Sequence, residues 1–376
     1  MKKAAVFALC LALLIQTPLF LFYSGAEVPV CPDVYAGSYI LVEKDDFHVV
    51  SSSNEHVRLP VASTTKIMTA LVALENADPD DVATVSKNAA ATEGSSAYLR
   101  AGERVKVKDL LYFLLLQSAN DAATALAEHT AGSVGRFADL MNEKARLLGM
   151  RDTHFSNPHG LSEADHYSSA YDLALLTVHA LAEPSFKKIV STARYTSQEG
   201  DTQRTFVNHN RLLFTLKGCI GVKTGYTLEA GRCLVSACRS GQTTLVCVTL
   251  NCKNDWSAHK ALYEYGFSKV KRCTLGAEAI DIPLVGAPQK SVCCTYDGCS
   301  ALSDPEASLC VRIVCPRFLF PPLKEHEPVG YAVYLLDGKE IKRTPIVCAE
   351  RVDQTPETGW TRRVLSFLTA LFHKNE

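Results

Sequence analysis

The sequence predicts an α+β fold: an antiparallel sheet flanked by a helical cluster, then a small all-β domain and a C-terminal amphipathic helix. Three observations carry this expectation. Strand-like runs stand at both ends of residues 27–271 with helix-patterned runs between them, so one antiparallel sheet has to join the two ends. Residues 274–351 change texture to short β-like runs separated by Gly, Pro and Asp. Residues 353–376 pass from a polar, Pro-containing linker into a stretch whose apolar side chains gather on one helical face. At 376 residues the chain is longer than one ordinary core requires. Its formal net charge of −1 lacks the basic excess expected of a nucleic-acid binder.

Residues 1–26 have the layout of a secretory signal peptide. Lys2 and Lys3 precede an apolar run at 4–15, and Ser24, Gly25 and Ala26 offer small residues for cleavage. The alternative is a retained membrane anchor, since apolar residues continue through 19–22. Both readings place the remaining chain outside the cytoplasm, and the amphipathic C-terminal stretch would attach it to the outer face of the cytoplasmic membrane. Fourteen cysteines in an exported chain would ordinarily imply disulfides. Cys233, Cys238 and Cys247 nevertheless lie in apolar strand-like runs and read as buried thiols. Cys293, Cys294, Cys299, Cys310 and Cys315 lack the paired C-x-x-C spacing of a metal site, and one or two bridges among them stay open.

The elements follow in order. Residues 38–42 and 48–50 read as a hairpin across the charged turn 43–46. Helical patterns occupy 65–74, 107–116, 121–129, 136–148 and 169–181; Gly149 ends the fourth and Pro184 the fifth. Strand patterns return at 221–225, 232–239 and 243–251, with a turn at Ser240-Gly241, before a helix at 256–267. In the β-rich part, 279–284, 309–315 and 331–335 are the clearest strands, and Asp337-Gly338 is a hairpin turn. The terminal stretch 360–374 is shorter than the roughly 20 residues that span a bilayer. A helix lying in the membrane interface fits its basic polar face, the alternative being a helix docked on the protein's own core.

Ser63-Thr64-Thr65-Lys66 is an S-x-x-K tetrad. The pattern recurs at Ser185, Ser257 and Ser268, but only Ser63 opens a strongly apolar helix that fixes both side chains. Residues three apart on a helix share a face, so Lys66 reaches the Ser63 hydroxyl. The helix N-terminus also favours an oxyanion. Lysine is a base only when neutral, and moving its pKa from ~10.4 to ~7 takes about 5 kcal/mol against the charged form. Burial and a second cation are the means, and Lys223 is the candidate.

Ser118-Ala119-Asn120 is an S-x-N triplet between two apolar helices. A hydroxyl there can relay a proton to a leaving amine, and a carboxamide can hold a peptide group. The alternative is a simple helix cap, with Asp121 opening the next helix. Lys223-Thr224-Gly225 occurs once, on a strand. Its cation and hydroxyl suit a terminal carboxylate, and its glycine allows close approach. Lys and Thr alternate faces on a strand, so both serve one site only at an exposed edge or through a local twist.

In this order, S-x-x-K, S-x-N and K-T-G match the signature of penicillin-recognising serine enzymes. The chain closely resembles the D-alanyl-D-alanine carboxypeptidase family, the low-molecular-weight penicillin-binding proteins. ASTTKIMTALVALE, GERVKVKDLLYFLLLQSANDAATALAE, THFSNPHGL, NHNRLL and GVKTGYTLEAG all look like segments of that family. The resemblance covers about residues 35–270 and implies a transpeptidase/β-lactamase-like catalytic domain.

The resemblance also implies an activity, the removal of the terminal D-alanine from peptidoglycan stem pentapeptides. Ser63 would be acylated, Lys66 would activate it and Ser118 would pass the proton on. Asn120 would hold the substrate backbone, while Lys223 and Thr224 would bind the terminal carboxylate beside Gly225. The backbone N–H groups of Ser63 and Tyr226 would form the oxyanion hole. β-Lactams would acylate Ser63, and no metal or cofactor is implied.

Two positions depart from the pattern. Ala119 stands where many relatives have Gly. Cys252-Lys253-Asn254-Asp255-Trp256 stands where relatives often carry an arginine-bearing stretch. His159, in the family-like NPHG segment, is read as structural. Rival readings are a D,D-endopeptidase acting on crosslinks with the same residues, a β-lactamase, and an inactive wall-binding scaffold. Glu163 and Glu183 do not sit where a β-lactamase would need its deacylating base.

Overall fold

Five strands form one antiparallel sheet: β1 (Ser38–Glu43), β2 (His48–Ser53), β3 (Cys219–Thr227), β4 (Gly231–Ser240) and β5 (Thr243–Leu250). Their order is β2-β1-β5-β4-β3, so the two ends of the segment meet where β1 pairs with β5. All six positions of β1 and all eight of β5 are buried, because both faces of the sheet are covered. Side chains alternate faces along β1. Ile40 and Val42 join the helical core, while Tyr39 and Leu41 join a second cluster with Leu262 and Tyr263. The structure is a computed structural model describing residues 30–197 and 203–354. The expected signal peptide, the amphipathic tail and Cys10 lie outside the described residues.

The helical cluster is built around α1 (Lys66–Asn76), whose first eight residues are all buried. A helix apolar on every side belongs inside a core. Around it stand α2 (Val107–Tyr112), α3 (Asn120–Ala131), α4 (Val134–Leu148), α5 (Ala170–Ala182) and α6 (Pro184–Val190). Gly149 follows α4 at φ 79, the left-handed C-cap position where glycine is favoured. The expected helix 107–116 is not continuous. It turns at Phe113 into a π-helical segment, Phe113–Gln117, which ends on Ser118 in the left-handed region. Pro184 does more than close α5: it is the first residue of α6, where its missing N–H costs nothing and Glu183 caps the new helix.

On the other face of the sheet lies α7 (Asp255–Lys269). A Cβ at Gly266 would come within 2.7 Å of Leu41 and Leu245, so the helix rests close against β1 and β5. His259 of α7 is fully buried between Ser236 Oγ (2.6 Å from Nδ1) and Thr249 Oγ1 (3.0 Å from Nε2). Burial holds its pKa down at about 3.

A second antiparallel sheet contains Glu278–Pro283, Ser291–Tyr296, Lys339–Cys348, Pro328–Leu336 and Leu309–Val314, in that spatial order. It has its own core of Val292, Cys294, Ala332, Tyr334, Ile346 and Cys348. The strand Ser291–Tyr296 lies outside the runs that the sequence marks as strands, because its cysteines and polar residues mask the alternation. The thirteen described cysteines are free thiols. Cys233, Cys238 and Cys247 are buried, and burial pushes each thiol pKa upward.

Arg272 joins the two regions. Its Nε and Nη2 donate to Glu43 at 3.0 and 2.7 Å, and Nη2 also donates to Asp46 at 2.7 Å. Nη1 reaches Ser300 Oγ at 3.2 Å. No helix among the described residues is long and apolar enough to cross a membrane.

Two stability predictions follow from these buried groups. Arg272→Met leaves the fully buried Glu43 carboxylate without its partner and should cost about 3–5 kcal/mol in urea unfolding. A loss below about 1 kcal/mol would show the pair to be no stronger than a surface contact. His259 has its folded pKa below the ordinary 6.5, so the unfolded chain binds the extra proton. Its contribution is complete above pH 6.5 and is lost as pH falls toward about 3. His259→Asn should therefore reduce the pH slope of unfolding free energy by about one proton near pH 5. An unchanged slope would exclude this assignment.

Candidate active site

The nucleophile candidate sits on a tight turn. Residues Ala62–Thr65 form a 3-10 turn that runs directly into α1, so helical backbone begins ahead of the 65–74 run that the sequence marks. At three residues per turn, side chains three apart eclipse one another. Lys66 Nζ accordingly lies 2.9 Å from Ser63 Oγ. It also donates to Asn120 Oδ1 at 2.8 Å and to the His159 carbonyl at 2.5 Å.

These three oxygens suit the ammonium as three acceptors, and they suit the neutral amine when Ser63 is the donor. A neutral lysine has two N–H groups and one lone pair. Asn120 and the His159 carbonyl take the two hydrogens, which leaves the lone pair for the Ser63 hydroxyl. Lys66 is completely buried, and its pKa is held well below the ordinary amine value, first by desolvation and then by the charge of Lys223. Lys223 is itself 1% exposed, and burial lowers its pKa to about 7. Its Nζ donates to the Thr224 carbonyl at 2.8 Å. The sheet order explains how K-T-G serves one site: β3 is the edge strand, and it packs against the Ser63 turn.

Glycine makes that approach feasible. A Cβ on Gly225 would stand 3.0 Å from the Ser63 nitrogen and 3.2 Å from that of Thr64. A side chain there would cover the N–H end of the turn. Gly160, at φ +85, is more constrained, since its Cβ would fall 2.0 Å from the Ala62 carbonyl oxygen.

Polar groups hold the turn from behind. Thr65 Oγ1 donates to Ala62 O at 2.8 Å and contacts His166 Nε2 at 2.7 Å. His166 Nδ1 accepts from the Ser156 N–H at 3.1 Å, so Nε2 carries the proton of the neutral ring. Burial lowers the His166 pKa to about 4. His159 is also held neutral, at about 3, by burial and then by Lys66. Its Nδ1 accepts from Leu161 N, and its carbonyl, not its ring, touches Lys66.

Ser63, Ser118, Thr224, Gly225 and Tyr226 line a cleft of about 370 Å³. Lys66, Asn120 and Lys223 stand behind them, almost fully buried. Asn120 spans Lys66 and the Glu93 carbonyl, to which its Nδ2 donates at 2.6 Å. Asp121 accepts from the backbone N–H groups of Ala97 and Leu99, pinning the loop that carries Ser95 into the cleft. The π-helical segment aims Ser118 at the same space, in a left-handed conformation at φ 64, ψ 30.

His209, Arg211, Arg232, Asp255 and Trp256 line the same cleft, and no motif in the sequence marks them as site residues. NHNRLL and the stretch 252–256 were visible, but no local signal said that they converge. The latter stretch contributes Asp255 and Trp256, and the arginine they hold comes from β4.

The family model described as D-alanyl-D-alanine carboxypeptidase matches residues 25–254. D-alanyl-D-alanine carboxypeptidase DacF of Bacillus subtilis (strain 168) is 40% identical over 219 residues, covering 57% of this chain and 56% of that protein. The chain thus spans little more than half the length of that relative. D-alanyl-D-alanine carboxypeptidase DacA of Escherichia coli (strain K12) is 30% identical over 369 residues, covering 92% of this chain and 90% of that protein. Among solved structures, penicillin binding protein 5 from Haemophilus influenzae aligns at a TM-score of 0.65 with 26% identity, over 86% of this chain and 99% of the other. Matched by the family model over more than half its length and by DacA over nearly all of it, this chain belongs to the D-alanyl-D-alanine carboxypeptidase family.

Proposed function

We propose that this protein is a serine D-Ala-D-Ala carboxypeptidase that removes the terminal D-alanine from peptidoglycan stem pentapeptides. The observation that carries the reading is the buried Lys66 amine, 2.9 Å from Ser63 Oγ with both N–H groups already engaged. Ser63 Oγ attacks the carbonyl carbon between the two D-alanines, and its proton passes to Lys66. The backbone N–H groups of Ser63 and Tyr226 stabilise the oxyanion. Ser118 relays the proton from Lys66 to the departing nitrogen. The C–N bond breaks, D-alanine leaves, and an acyl ester remains on Ser63. Water then hydrolyses the ester. Asn120 positions the substrate backbone and Lys66, while Thr224, Gly225 and Lys223 form the carboxylate end of the cleft.

A β-lactam presents the same carbonyl and acylates Ser63. On this reading the chain acts outside the cytoplasm. Residues 27–271 form the catalytic domain and 274–351 a supporting β domain. The 360–374 segment lies at the membrane surface.

Release of D-alanine from a stem pentapeptide, followed together with the intact mass after penicillin treatment, tests the function. Wild type should release D-alanine and carry one long-lived penicillin adduct that peptide mapping assigns to Ser63. Ser63→Ala should abolish both. Rapid penicillin turnover would identify a β-lactamase instead. Cleavage of a crosslinked dimer in preference to the pentapeptide would identify an endopeptidase. Absence of both activities and of any adduct would leave a scaffold.

Lys66→Met should slow acylation by about 10²–10⁴-fold, the usual worth of a positioned base. Lys223→Met removes a like charge from beside Lys66, so the Lys66 pKa should rise. The acid limb of the acylation rate profile should then move to higher pH, whatever happens to its height. A limb that stays put or moves to lower pH would contradict the coupling.

A further inference from the structure

The second sheet is laddered unevenly. Glu278–Pro283 pairs with Ser291–Tyr296 at every position, and Pro328–Leu336 pairs with Lys339–Cys348 along nearly its whole length. Between Ser291–Tyr296 and Lys339–Cys348, only Cys294 opposite Cys348 and Thr295 opposite Val347 are paired. That thin seam joins the two halves of the sheet, and a cysteine stands on each side of it. The Ala349 N–H donates to the Cys293 carbonyl at 2.9 Å, which makes 293 and 349 a hydrogen-bonded pair. The next pair, Cys294 and Cys348, is therefore of the non-hydrogen-bonded kind, with Cα atoms about 4.5 Å apart and both side chains on one face. A disulfide spans Cα atoms about 4.4–6.8 Å apart. Both cysteines are fully buried in the core of this sheet.

The other cysteines of the region lack such a partner. Cys293 is opposite Asp281, Cys299 opposite Leu275 and Cys310 opposite Leu335. Cys315 packs against the same core but lies beyond the end of the Leu309–Val314 ladder. In the first sheet Cys219 and Cys238 oppose each other. There the register slips just after Cys219, and the two thiols turn to the backbone carbonyls of Gly221 and Lys217.

We propose that Cys294 and Cys348 are a modification site, an oxidisable pair that closes into a disulfide and staples the two halves of the second sheet. The oxidant is a low-molecular-weight disulfide of the glutathione class. The proposal takes that oxidant from the reading that the chain acts outside the cytoplasm, and it is independent of the activity at Ser63. One cysteine thiolate attacks the glutathione disulfide and releases one glutathione thiolate. The second cysteine thiolate attacks the mixed disulfide, forms the Cys294–Cys348 bond and releases the other. The two cysteine protons pass to the two released thiolates, so one disulfide is reduced as one is made. In the folded sheet, burial and then the Cys348 thiol push Cys294 up to about 12, and burial also raises Cys348. Thiolate is scarce once the sheet is packed, so the exchange belongs to the stage when the strands pair. The bond constrains the unfolded chain across residues 294–348, in a region with only a small core of its own.

The test refolds the full chain in a mixture of reduced and oxidised glutathione, then alkylates it and digests it with trypsin. Cleavage after Lys290, Arg312, Arg343 and Arg351 leaves Cys294 in peptide 291–312 and Cys348 in peptide 344–351. These two peptides should be linked, fragmentation should place the bond at Cys294, and dithiothreitol should separate them. In urea unfolding, dithiothreitol should lower the midpoint of the linked protein by about 1 M. Cys294→Ala and Cys348→Ala should each remove the link and the response of the midpoint to dithiothreitol. Penicillin uptake should be unchanged in both, because neither residue lines the Ser63 cleft. The wild-type comparison with and without dithiothreitol supplies the measurement if a variant fails to fold. Unlinked peptides after refolding would overturn the proposal, as would a link from 291–312 to the 313–317 peptide of Cys315, or a bond confined to Cys219 and Cys238. A linked protein whose midpoint ignores dithiothreitol would overturn the staple. The redox mixture supplies the oxidant, so a missing link speaks against the pair itself and not against the extracytoplasmic reading.

Discussion

Burying a lysine amine beside a serine is costly unless the amine gives up its proton, and much of this structure is arranged around that condition. In the Ser63–Lys66 pair, two carbonyl-type oxygens, from Asn120 and from the His159 backbone, occupy the N–H directions of the neutral amine. In the neutral amine the lone pair is thereby left for Ser63. Desolvation disfavours the ammonium, and Lys223 adds a second unfavourable term. A solvated lysine at the same distance would stay charged at neutral pH and could not accept the hydroxyl proton. The helix that carries the pair is buried on every side, so the geometry is held by packing as well as by hydrogen bonds.

Close backbone approach is the second requirement. The edge strand β3 has to bring Lys223, Thr224 and Tyr226 to a turn that belongs to the helical cluster. Gly225 permits this because a side chain would stand against the Ser63 and Thr64 nitrogens. From the opposite side Gly160 lets the His159 carbonyl reach Lys66. Neutral His166 and Thr65 brace the turn without adding charge beside the lysines. The carboxylates of this region are spent on structure: Asp121, whose charge partly offsets the lowering of the Lys66 pKa, on the loop that carries Ser95, and Asp255 on Arg232.

The second sheet has its own buried cluster, and Arg272 ties it to the β1–β2 turn through Glu43 and Asp46. A fully buried carboxylate at Glu43 is tolerable because the guanidinium and two backbone N–H groups, from Asp45 and Asp46, surround it. None of these residues lines the cleft, so the linkage bears on stability and on the relation between the two regions.

Much of the site was legible from residue order. Helical periodicity singles out Ser63 from the other S-x-x-K serines, and the need for a second cation points to Lys223. Period-two alternation and turn residues located the main strands of the first sheet. Local patterns could not reveal the π-helical segment that rotates Ser118 into the cleft, or that Pro184 begins a helix as well as ending one. Both depend on how neighbouring segments pack. Nor could they reveal that β3 is an edge strand, that a backbone carbonyl of residue 159 meets Lys66, or that Arg232, Asp255 and Trp256 converge. Sequence alone determined the chemical groups and their order, because these are properties of short segments. Only the tertiary structure decided which groups are desolvated and which face one another, because burial and cross-strand register arise between segments far apart in the chain.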